Sequence, residues 1–232
     1  MLKEENTYLK NVFKAVIVIL FYLVAYSSPV EFLKMLNIDI YKLNNIMKSL
    51  CLVLYELFIV AIVIYAYKDE LAQCFKKFKI KEFFKKYFKY WFLILLLMVV
   101  SNSIITIFTK ADTSNNQEII MDSLKVLPIY ILASTIIIAP ILEEMVFRFC
   151  IKKIIPKPSI IYILVSGLLF GTMHVILTMT DITDLLFIIP YSIPGIVFAY
   201  LYDKTDNIFV PMSIHFIHNF VLMTLQVILN LI

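Results

Sequence analysis

A chain of 232 residues that is 62% hydrophobic and 16% charged, with a mean hydropathy of +0.90, carries more apolar surface than a soluble domain can bury. Its net charge of +4 is too small to point to nucleic acid. Its three cysteines, Cys51, Cys74 and Cys150, have neither the even count of a disulfide framework nor metal-ligand spacing. A bilayer solvates such a chain, and the class left is a polytopic membrane protein.

The first apolar run, Val12 to Ser27, is longer than a signal-peptide core and contains Lys14. It leads into Ser27-Ser28-Pro29 rather than a small-x-small cleavage site, so it reads as a retained first span. Together with later runs it places candidate spans at about 11–28, 48–67, 90–109, 127–152, 159–179, 185–202 and 208–230. The expected fold is all-α: a polytopic transmembrane helical bundle of about seven spans, within a range of six to eight. Residues 1–126 form N-terminal transmembrane helices and 127–232 a C-terminal core. Residues 29–47 are expected to lie along the interface, and no soluble domain or internal repeat is evident.

Between the second and third spans, 68–89 holds eight lysines against Asp69, Glu70 and Glu82, and Lys152, Lys153 and Lys157 follow the fourth span. By the positive-inside rule both loops are cytoplasmic, as is the N-terminus, and the C-terminus is outside. The lysines of 68–89 alternate with Phe75, Phe78, Phe83, Phe84 and Phe88. An amphipathic segment on anionic lipid and a solvated charged loop fit this pattern equally. Cys74 beside it is read as an ordinary thiol, with palmitoylation as the alternative. Glu56, inside the second span, has no evident partner and is read as a helix–helix hydrogen-bonding group.

The fourth span contains Ala139-Pro140-Ile141-Leu142-Glu143-Glu144-Met145-Val146-Phe147-Arg148. Each ionised side chain at a span centre costs about 2.5–3.5 kcal/mol unless it is paired. Glu144 and Arg148 stand at i, i+4 and can brace each other. Glu143 turns about 100° away, free to face a cavity. Pro140 removes the amide that would bond the Ile136 carbonyl and is expected to kink the helix. In the fifth span, Gly167, Phe170, Gly171 and His174 share a stripe on which another backbone can approach closely. In the seventh, His215 and Asn219 are co-facial. His218 lies about 60° aside and is read as packing or interfacial, while Gln226 continues the polar stripe.

A carboxylate in a partly dry cavity can act as a general base, and with His174 it could hold and deprotonate a water. His215 and Asn219 could then donate to the oxyanion formed when that water attacks a carbonyl. Ser213 is not placed as a nucleophile. Two rival readings are a non-enzymatic immunity or binding protein that uses the same polar cavity, and a proton relay through Glu56, Glu143 and the histidines.

Ala139-Pro-x-x-Glu143-Glu144-x-x-Phe147-Arg148, Leu169-Phe170-Gly171-x-x-His174 and His215-x-x-x-Asn219 resemble, in order, the three motifs of the CPBP (Abi) family. That family groups CAAX prenyl proteases with bacteriocin-processing and self-immunity membrane proteins. The likeness covers about residues 127–222. It implies an intramembrane glutamic endopeptidase in which Glu143 is the general base, His174 binds the water, and His215 and Asn219 stabilise the oxyanion. It also implies that Glu144 and Arg148 form a structural pair and that Phe170 packs the site. Phe149 stands where many relatives have glycine and is expected to narrow the cavity.

Members are described both as metal-dependent and as metal-independent. Metal-free catalysis is favoured here, because the H-E-x-x-H arrangement is absent. The alternative is a divalent metal such as zinc on Glu143, His174 and His215. The expected partners are the lipid bilayer and a peptide or protein substrate at the membrane, with no nucleic acid. The resemblance and the Lys/Ile/Asn-rich composition suggest a leader peptide or pheromone precursor.

Overall fold

The computed structural model describes residues 2–109 and 113–231. Among them seven helices are long and apolar enough to cross a membrane: Glu5–Ser27, Asn45–Ala66, Lys89–Thr109, Pro128–Ile154, Ser159–Ile176, Ile182–Thr205 and Phe209–Leu229. No strand occurs among the described residues. Large apolar side chains such as Phe13, Leu54, Leu96, Val99 and Leu229 point outward, as a bilayer-facing surface requires. This is a multi-pass helical membrane fold, and each expected span falls on one of these helices.

Numbered along the chain, the elements are α1 (Leu2–Ser27), α2 (Pro29–Met35), α3 (Asn45–Ala66), α4 (Lys68–Lys77), α5 (Ile80–Lys86), α6 (Lys89–Thr109), α7 (Asn115–Val126), α8 (Pro128–Ile154), α9 (Ser159–Ile176), α10 (Ile188–Thr205) and α11 (Phe209–Leu231). Local chemistry sets several starts. The Asn44 side chain accepts from the Met47 amide at the head of α3, and the Ser114 hydroxyl accepts from the Gln117 amide at the head of α7. Pro128 opens α8, where its missing N–H costs nothing.

The weakly periodic stretch 29–47 becomes α2 and a 3-10 turn, Ile40–Lys42. Leu33 and Ile40 pack with Leu52, Leu127 and Tyr130, so the segment covers one end of the bundle. The basic segment becomes α4 and α5. Phe83 is buried against Leu201 and Val210, while Phe75 and Phe84 stay exposed, so its aromatic face is shared between protein and surroundings.

Two features position the site. The first is a backbone-to-backbone contact of α9 with α10. A Cβ on Gly167 would lie 2.7 Å from the Ile196 amide nitrogen. One on Gly171 would lie 2.8 Å from the Ile188 carbonyl, and one on Gly195 would lie 2.7 Å from the Gly167 carbonyl. The expected small-residue stripe is therefore where the two helices touch.

The second is the shape of α8, which is not a plain kinked helix. Ser134–Ile138 and Glu144–Cys150 are π-helical turns on either side of Ala139–Glu143. The Ala139 amide bonds the Ser134 carbonyl, five residues back. In that register the amide missing at Pro140 deprives Thr135 of a partner, not Ile136 as an α-helical count expects. Side chains fill both widened regions: Asn219 Nδ2 donates to the Thr135 carbonyl at 2.8 Å, and the Ser166 hydroxyl donates to the Phe147 carbonyl at 2.6 Å. Wide turns of this kind recur at functional sites, because they turn side chains off the regular helical stripe.

Candidate active site

Glu144 and Arg148 are both 0% exposed, and they meet as their spacing predicts, with Nε 3.1 Å from Oε2. The guanidinium carbon lies 4.3 Å from the Phe170 ring centre and 5.3 Å from that of Phe198. Arginine is suited to such burial because its diffuse charge interacts with ring faces as well as with a carboxylate. Glu144 has a second task that the sequence did not disclose. Its Oε1 lies 3.0 Å from His215 Nδ1, so one carboxylate joins the arginine of its own helix to a histidine of α11.

The other nitrogen of the same ring, Nε2, lies 3.6 Å from Glu143 Oε2. His215 thus stands between the paired carboxylates, one at each nitrogen. Its ring stacks on Phe198 with centres 4.9 Å apart and meets Phe170 edge-on at 5.8 Å. Ring packing and the Glu144 contact together leave the imidazole little freedom to turn.

His174 is held separately. Its Nδ1 lies 2.8 Å from the Phe170 carbonyl, which can only accept, so Nδ1 carries a proton and Nε2 is the nitrogen left outside that bond. The ring sits between Phe170, at 4.4 Å, and Tyr191, at 4.9 Å and 24° from coplanar. The Tyr191 hydroxyl pairs with the Ser114 hydroxyl at 2.8 Å and accepts from Asn116 Nδ2 at 3.2 Å. Phe170 touches both histidines and the arginine.

Glu143, His174, His215 and Asn219 all line one cavity of ≈ 520 Å³, and Glu144 and Arg148 lie behind its wall. The divergence of the two adjacent glutamates follows the angle read from the sequence. His218 is buried and also lines this cavity, with its Nδ1 making no hydrogen bond among the described residues. The cavity is wide enough along α11 to include both sides of the stripe. Gln226 lines it as well. Phe149 does not. It is buried against Tyr67 and Tyr202, so it does not narrow the cavity.

Glu56 gains partners from another helix. Its Oε1 accepts from the Tyr130 hydroxyl at 2.9 Å and the Ser134 hydroxyl at 3.0 Å, at the start of the first π-helical turn. Tyr191, Ser114, Asn116, Tyr26 and Tyr130 border or support the site without a spacing signal in the sequence. The one trace was the polar run Ser114-Asn115-Asn116-Gln117 opening a helix. Among the described residues no three His, Cys, Asp or Glu side chains converge as metal ligands do.

The polar groups Glu143, His174, His215 and Asn219 stand in the part of the multi-pass bundle that is similar to known proteins. Residues 125–221 match the family described as type II CAAX prenyl endopeptidase Rce1-like, the stretch on which the three motifs stand. The chain is 30% identical over 122 residues to "Putative membrane peptidase YdiL" of Bacillus subtilis, a match covering 52% of this chain and 46% of that protein. It is 30% identical over 128 residues to UPF0177 protein YvdC of Lactococcus lactis, covering 55% and 47%. The chain thus aligns with about half the length of these relatives. No solved structure matches it significantly. The resemblance to the CPBP group, which includes the CAAX proteases, holds for this C-terminal segment.

Proposed function

We propose that the chain is an intramembrane endopeptidase that hydrolyses a peptide bond of a membrane-associated peptide or protein with a water activated by Glu143. The observation that carries the reading is His215 placed between Glu143 and Glu144, beside a cavity that His174 and Asn219 also line. Glu143 takes a proton from the water as its oxygen bonds to the carbonyl carbon. The His174 Nε2 lone pair accepts the water's other hydrogen and so orients it.

With protons on both nitrogens, His215 donates to Glu144 from Nδ1 and offers Nε2–H to the oxyanion. The charges of Glu143, Glu144, Arg148 and His215 then cancel within the buried cluster. Asn219 spends one N–H on Thr135 and has a second to give. When the C–N bond breaks, Glu143 returns its proton to the leaving amine. The mechanism runs without a metal. The resemblance and the composition favour a leader peptide or pheromone precursor as substrate.

The purified protein in detergent should cleave a suitable peptide, and Glu143→Ala should slow cleavage by about 10²–10⁴-fold. Full activity in that variant would remove the mechanism. Cleavage should persist through a chelator titration, with metal analysis of the same sample; loss on chelation and return with zinc would replace the metal-free scheme.

A further inference from the structure

The two ends of the bundle differ in charge, and the cavity reaches only one of them. At one end, Lys153 is 3.9 Å from Glu70 and Lys152 is 3.5 Å from Asp203. Asn207 Nδ2 donates to the Cys74 carbonyl, and the Tyr8 hydroxyl donates to the Ile154 carbonyl. These contacts gather the start of α1, the basic α4 and the lysine-bearing end of α8 in one place. At the other end, Asn115 Nδ2 donates to the Thr178 carbonyl and to Asp184, and the segment after α1 packs on Leu127 and Tyr130. The described sequence of that end, 28–48, 113–127 and 177–184, carries four lysines against six carboxylates. By contrast, 68–89 alone carries eight against three.

The cavity wall includes Glu143 and Phe198 at depth and runs to Thr113, Asn116, Gln117 and Gln226. Gln226 lies about 25 Å along α11 from its start at the lysine-rich end, at 1.5 Å per residue. No residue of 67–89, 144–169 or 199–214 borders the cavity. Lysine bias in short loops orients a membrane protein with the basic end in the cytoplasm. From these facts we infer that the cavity opens on the non-cytoplasmic face. Its substrate is then an exported peptide, or the non-cytoplasmic segment of a membrane-anchored chain. The carboxamides of Asn102, Asn116, Gln117 and Gln226 along the wall donate and accept together, as the main chain of an extended peptide needs. The word substrate rests on the peptidase reading; the orientation of the opening does not.

The test uses single-cysteine variants of the full chain, with Cys51, Cys74 and Cys150 replaced by alanine, and a membrane-impermeant maleimide added to intact cells. Ile119→Cys, exposed on α7, and Leu222→Cys, on the cavity wall, should label equally before and after permeabilisation. Lys81→Cys, on α5, should label only after it. Gln226→Cys replaces the cavity probe if Leu222→Cys is not produced. The reverse pattern for Ile119→Cys and Lys81→Cys overturns the orientation. Outside labelling at Ile119→Cys with the cavity probe labelled only after permeabilisation overturns the opening. None of these readouts needs activity, so an active Glu143→Ala would remove the peptidase reading and leave this inference standing.

Discussion

His215 and Glu144 meet across two helices, Nδ1 to Oε1 at 3.0 Å, although 71 residues separate them in the chain. This contact makes the second glutamate of the motif more than half of a brace. Glu144 neutralises a buried arginine and holds the ring whose other nitrogen faces Glu143.

Removing that carboxylate should therefore cost stability and rate separately. Glu144→Gln leaves Arg148 buried without a counter-charge, and thermal unfolding in detergent should show a loss of about 3–5 kcal/mol. Adding Arg148→Met removes the stranded charge and should restore much of the stability. Cleavage by the double variant should stay slow, by about 10²-fold, because His215 has lost the carboxylate at Nδ1. A double variant as fast as the parent would show that Glu144 acts through Arg148 alone.

Asn219 and Pro140 should be energetically coupled. Asn219→Ala leaves the Thr135 carbonyl without its donor and should destabilise by about 1–3 kcal/mol. Pro140→Ala supplies an amide that can serve the same carbonyl. In the double variant the Asn219→Ala penalty should shrink, giving a coupling of about 0.5–3 kcal/mol in a double-mutant cycle. Additive penalties would count against the π-register explanation.

The α9–α10 contact leaves no room for side chains. Gly171→Val would press atoms into the Ile188 carbonyl and the Ser192 amide, and Gly167→Val into Ile196. Both helices must then separate, carrying His174 away from Tyr191. Each variant should lose more than the ~1–3 kcal/mol typical of an overpacked side-chain core, seen as reduced yield and early thermal unfolding, since backbone cannot move aside as a rotamer can.

Tyr191 should position His174 mainly by its ring. Tyr191→Phe keeps the stack and gives up the pairing with Ser114 and Asn116, for a stability change of about 0.5–1.5 kcal/mol and little change in kcat. Tyr191→Ala removes the stack and should lower kcat with KM nearly unchanged. Equal kcat losses in both variants would shift the role to the hydroxyl.

The sequence by itself determined the membrane fold, the seven spans and the identity of the polar groups placed in them. Apolar runs about 20 residues long and the cost of an ionised group in hydrocarbon are both properties of the chain alone. Helical spacing also fixed the Glu144–Arg148 pair and sent Glu143 a different way, because i, i+4 geometry is local. Tertiary structure decided what no spacing within one helix can hold. It placed α11 so that His215 reaches both glutamates, and it put Tyr191 and the head of α7 against His174. It gave Glu56 its partners on α8 and turned Phe149 away from the cavity. The π-helical turns of α8 belong to the same group. Their register depends on side chains from other helices, which supply the hydrogen bonds that the widened backbone gives up.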